Sequence, residues 1–146
     1  TVNPSDVIGA EKIGKKLVYL GDTNNPTSIL EIGAQCDLLL HETTLRDAEK
    51  DMAVAKGHSC PSMAGSFAKL LQAKSLVITH FSTKYSYQEE SKSTQDSVSK
   101  STSTQDSSSS LSIDRSCTVQ GLLVEAKNAF GCDSVVAAKE FTEIRI

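Results

Sequence analysis

Three short apolar runs occur in the first 85 residues, and each ends in polar side chains. They lie in "KKLVYLGDT" (17–20), "CDLLLHETT" (38–40) and "SLVITHFS" (75–79). Runs of this length, rich in leucine and β-branched residues, are typical of buried strands, although periodicity alone does not exclude a helix. The pattern therefore predicts three strands. The polar side chains that follow them are Asp22, His41, Glu42 and His80.

The segments between these runs have helical periodicity, with apolar residues three and four positions apart. Segment 45–57 ends at a glycine, and segment 59–74 begins with Ser59 or Cys60 as its cap and a proline in its first turn. The predicted buried stripes are Leu45, Ala48, Met52 and Ala55 in the first segment and Met63, Phe67, Leu70 and Leu71 in the second. A shorter helix is predicted after Pro26. Strands that alternate with helices indicate an α/β layered fold.

Composition changes abruptly at residue 86. From 86 to 116 the chain is mostly Ser, Thr, Gln, Lys and Asp, and the pentapeptide STQDS occurs twice. Such a tract has almost nothing to bury against an ordering cost of ~1–2 kcal/mol per residue. We therefore predict one domain made of 1–85 and 117–146, interrupted by a flexible Ser-rich insertion at 86–116. The last part is expected to hold a helix that ends at Gly131 and short closing strands within 134–146, where Phe141, Ile144 and Ile146 partly alternate with polar residues.

Charge and cysteine content narrow the function classes only slightly. The net charge of −3 gives no whole-chain basic field for nucleic acid, although a local basic patch stays open. The four cysteines contain no CxxC pair, and free thiols are preferred over disulfides for the intracellular location that we expect. They are Cys36, Cys60, Cys117 and Cys132. No apolar run approaches the ~20 residues that span a bilayer, so we expect no membrane partner.

The groups at the strand ends are candidates for a hydrolytic metal site. Ligands of open α/β sheets bind beyond the carboxyl ends of the strands, and carboxylate oxygen and neutral imidazole nitrogen are the ordinary ligands of catalytic zinc. Each residue also has a plainer explanation: Asp22 as a turn cap, His41 as a structural imidazole and His58 as a helix cap, while His80 is open. A Cys60–His58 nucleophile pair is disfavoured, because sequence neighbours seldom point at each other.

Four segments together resemble the C-terminal half of tRNase Z, the tRNA 3′-processing endonuclease of the metallo-β-lactamase superfamily. They are "YLGDT", "LLHETT", "KGHSCPSMAGSFAKLLQAKSLVITHFSTKY" and "LLVEAKNAF". The resemblance implies an α/β fold, the C-terminal half of an αββα sandwich. It also implies that Asp22 bridges two zinc ions and that His80 is a terminal zinc ligand. By the same resemblance Glu42 and His58 are catalytic: the glutamate orients the histidine, which gives a proton to the leaving 3′ oxygen.

The sequence departs from this family in two ways. Three motifs differ slightly: HSC replaces HST, HETT replaces HEAT, and FSTK stands where FSQR is usual, with Lys84 still supplying a positive charge. More importantly, the HxHxDH motif that supplies most of the zinc ligands is not among the 146 residues. A catalytic zinc takes about three protein ligands, so Asp22 and His80 cannot assemble two sites.

The resemblance therefore implies that this chain is a fragment, inactive alone, of a larger enzyme. The implied enzyme binds two zinc ions (Zn²⁺), removes 3′ trailers from precursor tRNA, leaves a 3′-hydroxyl on the tRNA, and is a homodimer if it is of the short type. Two rivals stay open. One is another phosphodiesterase of the metallo-β-lactamase fold, and the other is a non-catalytic scaffold whose serine-rich tract recruits partners.

Overall fold

The computed structural model describes residues 1–85, 87 and 118–146. Their strands are β1 (Leu17–Tyr19), β2 (Leu38–Glu42), β3 (Leu76–Thr79) and β4 (Val135–Ala137), which are parallel and adjacent in chain order. The helices are α1 (Pro4–Val7), α2 (Leu30–Gly33), α3 (Lys50–Ala55), α4 (Pro61–Leu70) and α5 (Val119–Phe130). Two 3₁₀ turns lie at Thr27–Ile29 and Asp47–Glu49.

The strand order explains why α4 and α5 pack on the same face of the sheet. Right-handed crossovers between strands in sequential order all pass on the same side. Four residues paired across the sheet point to that side and contact the core: Val18, Leu39, Leu76 and Val135. On the other side Leu17, Tyr19 and Val136 are 52%, 69% and 40% exposed. One sheet with one helical layer is half of an αββα sandwich, as the sequence predicted.

The core lies between this sheet and the pair α4 and α5. Its most buried large side chains, each at most 1% exposed, are Leu39, Leu71, Leu76, Ile78 and Leu122. Burial of one such side chain contributes about 1.5–3 kcal/mol. The two helices approach each other closely at Gly65, where a side chain would meet the backbone of α5.

Helix α4 begins at Pro61 as predicted, but its buried stripe was predicted only in part. Phe67 and Leu71 are buried, whereas Leu70 is 61% exposed and Met63 is half-buried. The helix instead buries small residues, among them Ala64, Gly65 and Ala68, and at Gly65 α5 packs too near for any side chain.

The prediction for segment 45–57 was wrong in its buried face. Leu45 is buried, but it lies in the loop after β2, ahead of the helix. Within α3 the buried residue is Ala53, whereas Met52 is 47% exposed. The predicted stripe failed because its members do not share one helix.

The C-terminal prediction was also half right. Helix α5 ends at Gly131, whose φ of 74° is the left-handed conformation that glycine adopts without strain. The prediction of several closing strands was wrong, because β4 is the single strand within the described range 134–146. Phe141 is fully exposed. The backbone after Ala138 turns instead, with the Thr142 amide donating to the Lys139 carbonyl at 3.0 Å.

The predicted insertion at 86–116 lies outside the described residues except for Tyr87. Among the described residues no helix is long and apolar enough to cross a membrane.

Candidate metal centre

The ends of three neighbouring strands bring the candidate residues to one edge of the sheet. Because β1, β2 and β3 are parallel, their carboxyl ends lie together. Asp22 follows β1 by three residues, Glu42 is the last residue of β2, and His80 directly follows β3. His58 reaches the same place from the loop between α3 and α4.

Glu42 is a buried carboxylate, 1% exposed, that is well supplied with hydrogen-bond donors. Its Oε1 accepts from the backbone amides of Thr23 at 3.2 Å and Ser59 at 2.8 Å. Its Oε2 accepts from the Thr44 amide at 3.0 Å and from the Thr44 hydroxyl at 2.6 Å. A buried charge is tolerated when it is hydrogen-bonded in this way. Three loops are therefore fixed to one side chain.

Glu42 also orients His58. The Nδ1 atom of His58 lies 3.2 Å from Glu42 Oε1, and the imidazole is 23% exposed. An ionised carboxylate can only accept, so Nδ1 carries the hydrogen and Nε2 is left for a substrate or metal ion. The arrangement suits a histidine that binds or transfers a proton.

Asp22 and His80 form the exposed part of the cluster. His80 Nδ1 lies 3.4 Å from Asp22 Oδ1, and both side chains are about half exposed. The His80 and His58 rings are stacked with centroids 5.6 Å apart. One ligand atom from each of Asp22, His58 and His80 falls within 4.8 Å of the others. Two imidazoles and one carboxylate match the ordinary ligands of zinc.

The backbone at His80 is in an uncommon conformation. Its φ is +58°, in the left-handed region that residues with a side chain rarely adopt. This turn directly follows β3.

Thr44 was missed by the sequence analysis. Its hydroxyl contacts Glu42, lies 3.3 Å from His58 Nδ1 and lies 2.8 Å from His80 Nδ1. The residue belongs to the HETT segment, but a threonine two positions after a strand has no sequence signal of its own.

The structure places His41 away from the cluster, on the helical face of β2. It is 1% exposed, its Nδ1 donates to the Glu42 carbonyl at 2.8 Å, and its ring meets Phe67 edge-on. Its Nε2 has no hydrogen-bond partner among the described residues. Burial lowers the pKa of this imidazole below its usual 6.5. Its position favours a structural role over metal binding.

Two other residues considered in the sequence analysis, Cys60 and Lys84, make their contacts outside the cluster. Cys60 is fully buried beside the Ser62 hydroxyl, and burial raises the pKa of its thiol, so it is not an activated nucleophile. Lys84 donates to both oxygens of Glu49, at 2.5 and 2.6 Å, so its charge is paired within the fold. Among the described cysteines, Cys36, Cys60 and Cys132 are free thiols, as predicted; Cys117 lies outside the described residues.

Comparison with known families agrees with this geometry. The sequence model described as "Beta-lactamase superfamily domain" matches residues 2–81, more than half of the chain. The chain belongs to the β-lactamase superfamily. The structure also resembles the solved metallo-β-lactamase fold protein YhfI from Bacillus subtilis, with a TM-score of 0.55 and 22% sequence identity. The match covers 84% of this chain and 37% of the YhfI chain. The predicted fold class is confirmed.

Within the β-lactamase superfamily, curated relatives confirm the resemblance to tRNase Z. The human zinc phosphodiesterase ELAC protein 1 is 45% identical over 87 residues, which are 58% of this chain and 24% of that protein. Ribonuclease Z of Lactococcus lactis subsp. cremoris (strain MG1363) is 42% identical over 85 residues, 58% of this chain and 28% of that enzyme. The chain therefore spans about a quarter of the length of the curated relatives it matches.

Proposed function

We propose that this chain is part of a zinc-dependent endoribonuclease that removes 3′ trailers from precursor tRNA and leaves a 3′-hydroxyl on the tRNA. The observation that carries the proposal is the joint position of Asp22, His80 and the Glu42–His58 pair at one edge of the sheet. The names of the relatives, a zinc phosphodiesterase and a ribonuclease Z, support it.

Asp22 and His80 are the residues that would hold zinc. Their carboxylate and imidazole are about half exposed, whereas the Glu42 carboxylate is buried. Zinc, when bound, supplies a Lewis acid to the phosphodiester. Because a catalytic zinc takes about three protein ligands, a site for two ions needs further ligands from residues outside this chain. The chain alone would then bind zinc weakly and would not cleave RNA.

His58 and Glu42 would handle the proton. Glu42 accepts the Nδ1 hydrogen of His58, which directs Nε2 towards the substrate. The Nε2 hydrogen is then placed to pass to the ribose 3′ oxygen as it leaves phosphorus. General acid catalysis of this kind contributes about 10²–10⁴-fold in rate.

The test of this function uses the longest natural form of the protein that contains the chain. Precursor tRNA with a 3′ trailer should be cut, and the product should accept a 3′-end ligation that requires a free hydroxyl. His58→Ala should lower kcat by about 10²–10⁴-fold, whereas Cys60→Ala, in the same loop but bonded to Ser62, should retain cleavage. Efficient hydrolysis of a small phosphodiester without cleavage of precursor tRNA would instead favour a different phosphodiesterase.

The partial metal site has its own measurement. Zinc bound per molecule, measured after dialysis of the isolated 146-residue chain, should stay well below two. Two tightly bound ions in this chain alone would contradict the need for outside ligands.

A further inference from the structure

The Thr44 hydroxyl joins the two halves of the candidate site. It contacts the carboxylate of Glu42, the ring of His58 in the proposed proton-transfer pair, and the ring of His80 in the proposed metal site. The contacts to Glu42 and His80, at 2.6 and 2.8 Å, are short enough for full hydrogen bonds, and the contact to His58, at 3.3 Å, is longer. One oxygen atom therefore contacts both the proposed proton-transfer pair and the proposed metal ligand His80.

Donor and acceptor counting fixes the direction of each bond. A threonine hydroxyl has one hydrogen to donate and two lone pairs. Glu42 Oε2, an ionised carboxylate oxygen, can only accept, so the hydroxyl hydrogen points to it. The two imidazole contacts must then be N–H donors to the lone pairs of Thr44. Hydrogen therefore sits on Nδ1 of both His58 and His80.

The remaining contacts agree with this assignment. His58 Nδ1 also faces Glu42 Oε1, and His80 Nδ1 also faces Asp22 Oδ1, at 3.4 Å. Both are carboxylate oxygens that accept hydrogen bonds. In the part of the chain that the structure describes, no contact around either Nδ1 calls for the opposite tautomer.

We propose that Thr44 is a positioning residue that holds both histidines in the Nδ1–H tautomer. His80 then presents the lone pair of Nε2 to a metal ion, and His58 presents Nε2 to the substrate. The nitrogen of a histidine that binds a metal is set by the hydrogen bond that the other nitrogen makes, and loss of such a supporting bond costs about 10–100-fold in metal affinity.

The fold holds Thr44 rigidly enough for this role. Its amide donates to Glu42, and its carbonyl accepts from the Ser82 amide at 3.1 Å, just beyond His80. The same loop is fixed again at Arg46, whose amide donates to the Tyr85 hydroxyl at 2.8 Å. The hydroxyl position is therefore determined by backbone contacts on both sides.

Neighbouring threonines provide a matched set of variants. Thr44→Val removes the hydroxyl but keeps the shape, and Thr44→Ser keeps the hydroxyl. Thr43→Val makes the same chemical change one residue earlier, where the hydroxyl is buried and lies 3.5 Å from the Thr79 carbonyl, outside the cluster. All three are compared with the parent in the longest natural form of the protein.

Two readouts do not depend on RNA cleavage. Imidazole ¹⁵N spectra of the zinc-free protein should show hydrogen on Nδ1 of His58 and His80 in the parent, Thr44→Ser and Thr43→Val. In Thr44→Val they should show a mixture of tautomers at His80, whereas His58 keeps hydrogen on Nδ1 because Glu42 still accepts it. Zinc affinity should fall by about 10–100-fold in Thr44→Val alone. The tautomer spectrum of the unaltered protein tests the proposal even if the valine variant does not fold.

The catalytic consequence rests on the proposed function and is measured separately. In Thr44→Val, kcat on precursor tRNA should fall while KM stays near that of the parent, and Thr44→Ser should restore most of kcat. A ring nitrogen Nδ1 without hydrogen in either histidine of the parent would overturn the proposal, as would equal losses of zinc affinity in Thr43→Val and Thr44→Val. If precursor tRNA is not cut at all, the proposed function fails, and the spectra and zinc affinities still decide the role of Thr44.

Discussion

Gly65 of α4 faces the backbone carbonyl of Ala126 in α5 so closely that a β-carbon added to the glycine would lie 2.5 Å from the carbonyl oxygen. The same β-carbon would also lie 2.9 Å from the Phe130 amide nitrogen. Backbone atoms within a helix cannot move aside singly, so the two helices have to separate to admit any side chain. Gly65 therefore sets the distance between α4 and α5.

Gly65→Ala should destabilise the protein by about 1–3 kcal/mol, the usual cost of overpacking a core. This outcome opposes the ordinary gain in helix propensity when alanine replaces glycine. Urea unfolding measures it, with Gly14→Ala as the control, because a β-carbon there meets no atom of the described residues within 4 Å. A Gly65→Ala protein as stable as the control would mean that the helices adjust freely.

Glu42→Gln should lower the free energy of unfolding by about 1–3 kcal/mol, the cost of leaving a buried polar group unsatisfied. Each carboxylate oxygen accepts at least one backbone amide, so the NH₂ group of glutamine faces a donor in either orientation. Denaturant unfolding checks this, with the exposed Glu31→Gln as the control. Unchanged stability in Glu42→Gln would show that the carboxylate is not held by these amides.

Asp37→Asn should remove part of the acid sensitivity of the fold. Lys74 donates to Asp37 at 2.8 Å and, with the Lys16 amide, lowers the pKa of this carboxyl from 3.8 to about 2. Its stabilising contribution is therefore complete above pH ~4 and is lost as the pH falls towards ~2. Thermal midpoints at about pH 6 and pH 3 should differ more for the parent than for Asp37→Asn. If the thermal midpoint fell equally in both proteins between these two pH values, the result would contradict a stabilising Lys74–Asp37 ion pair.

His41→Asn should remove a loss of stability that occurs at mildly acidic pH. The folded protein holds His41 neutral by burial, whereas the unfolded chain takes up a proton near pH 6.5. The unfolded state therefore binds more protons below that pH, so stability is complete above it and falls as the pH decreases. Asparagine keeps a donor for the Glu42 carbonyl but does not titrate.

Urea midpoints between about pH 7.5 and pH 5.5 should fall further in the parent than in His41→Asn. His58 and His80 are present in both proteins, so the difference between the two curves isolates His41. Identical slopes would mean that His41 can be protonated within the folded protein.

The strands were predictable because each is a continuous apolar run covered by helices on one side. The helix faces were less so: Leu70 and Met52 have the right spacing, but the exposed side of each helix depends on what packs against it. The cap of α4 illustrates the same limit. Cys60, one of the two predicted caps, is the N-cap residue, but its side chain makes no capping hydrogen bond. The Ser62 amide instead donates to the Asp47 carboxylate at 2.8 Å, from another part of the chain.

For the candidate site, the sequence placed Asp22, His41, Glu42 and His80 at neighbouring strand ends because parallel strands share an edge. The His41 side chain lies instead on the helical face of β2, against Phe67. The position of His58 beside Glu42 followed only from the family resemblance, since periodicity does not say where a loop returns. Thr44 was not found, because its contacts join residues from three elements. The catalytic and metal-binding roles of these residues stay predictions.

The left-handed backbone of His80 lowers the stability of the fold at the position whose imidazole is proposed to bind zinc. A residue with a β-carbon loses roughly 1–2 kcal/mol in that conformation, whereas glycine accepts it without penalty. His80→Gly would therefore relieve the strain while deleting the imidazole. A screen for heat resistance alone would tend to select against the histidine, so stabilised variants of this protein need to be sorted by metal affinity as well as by melting temperature.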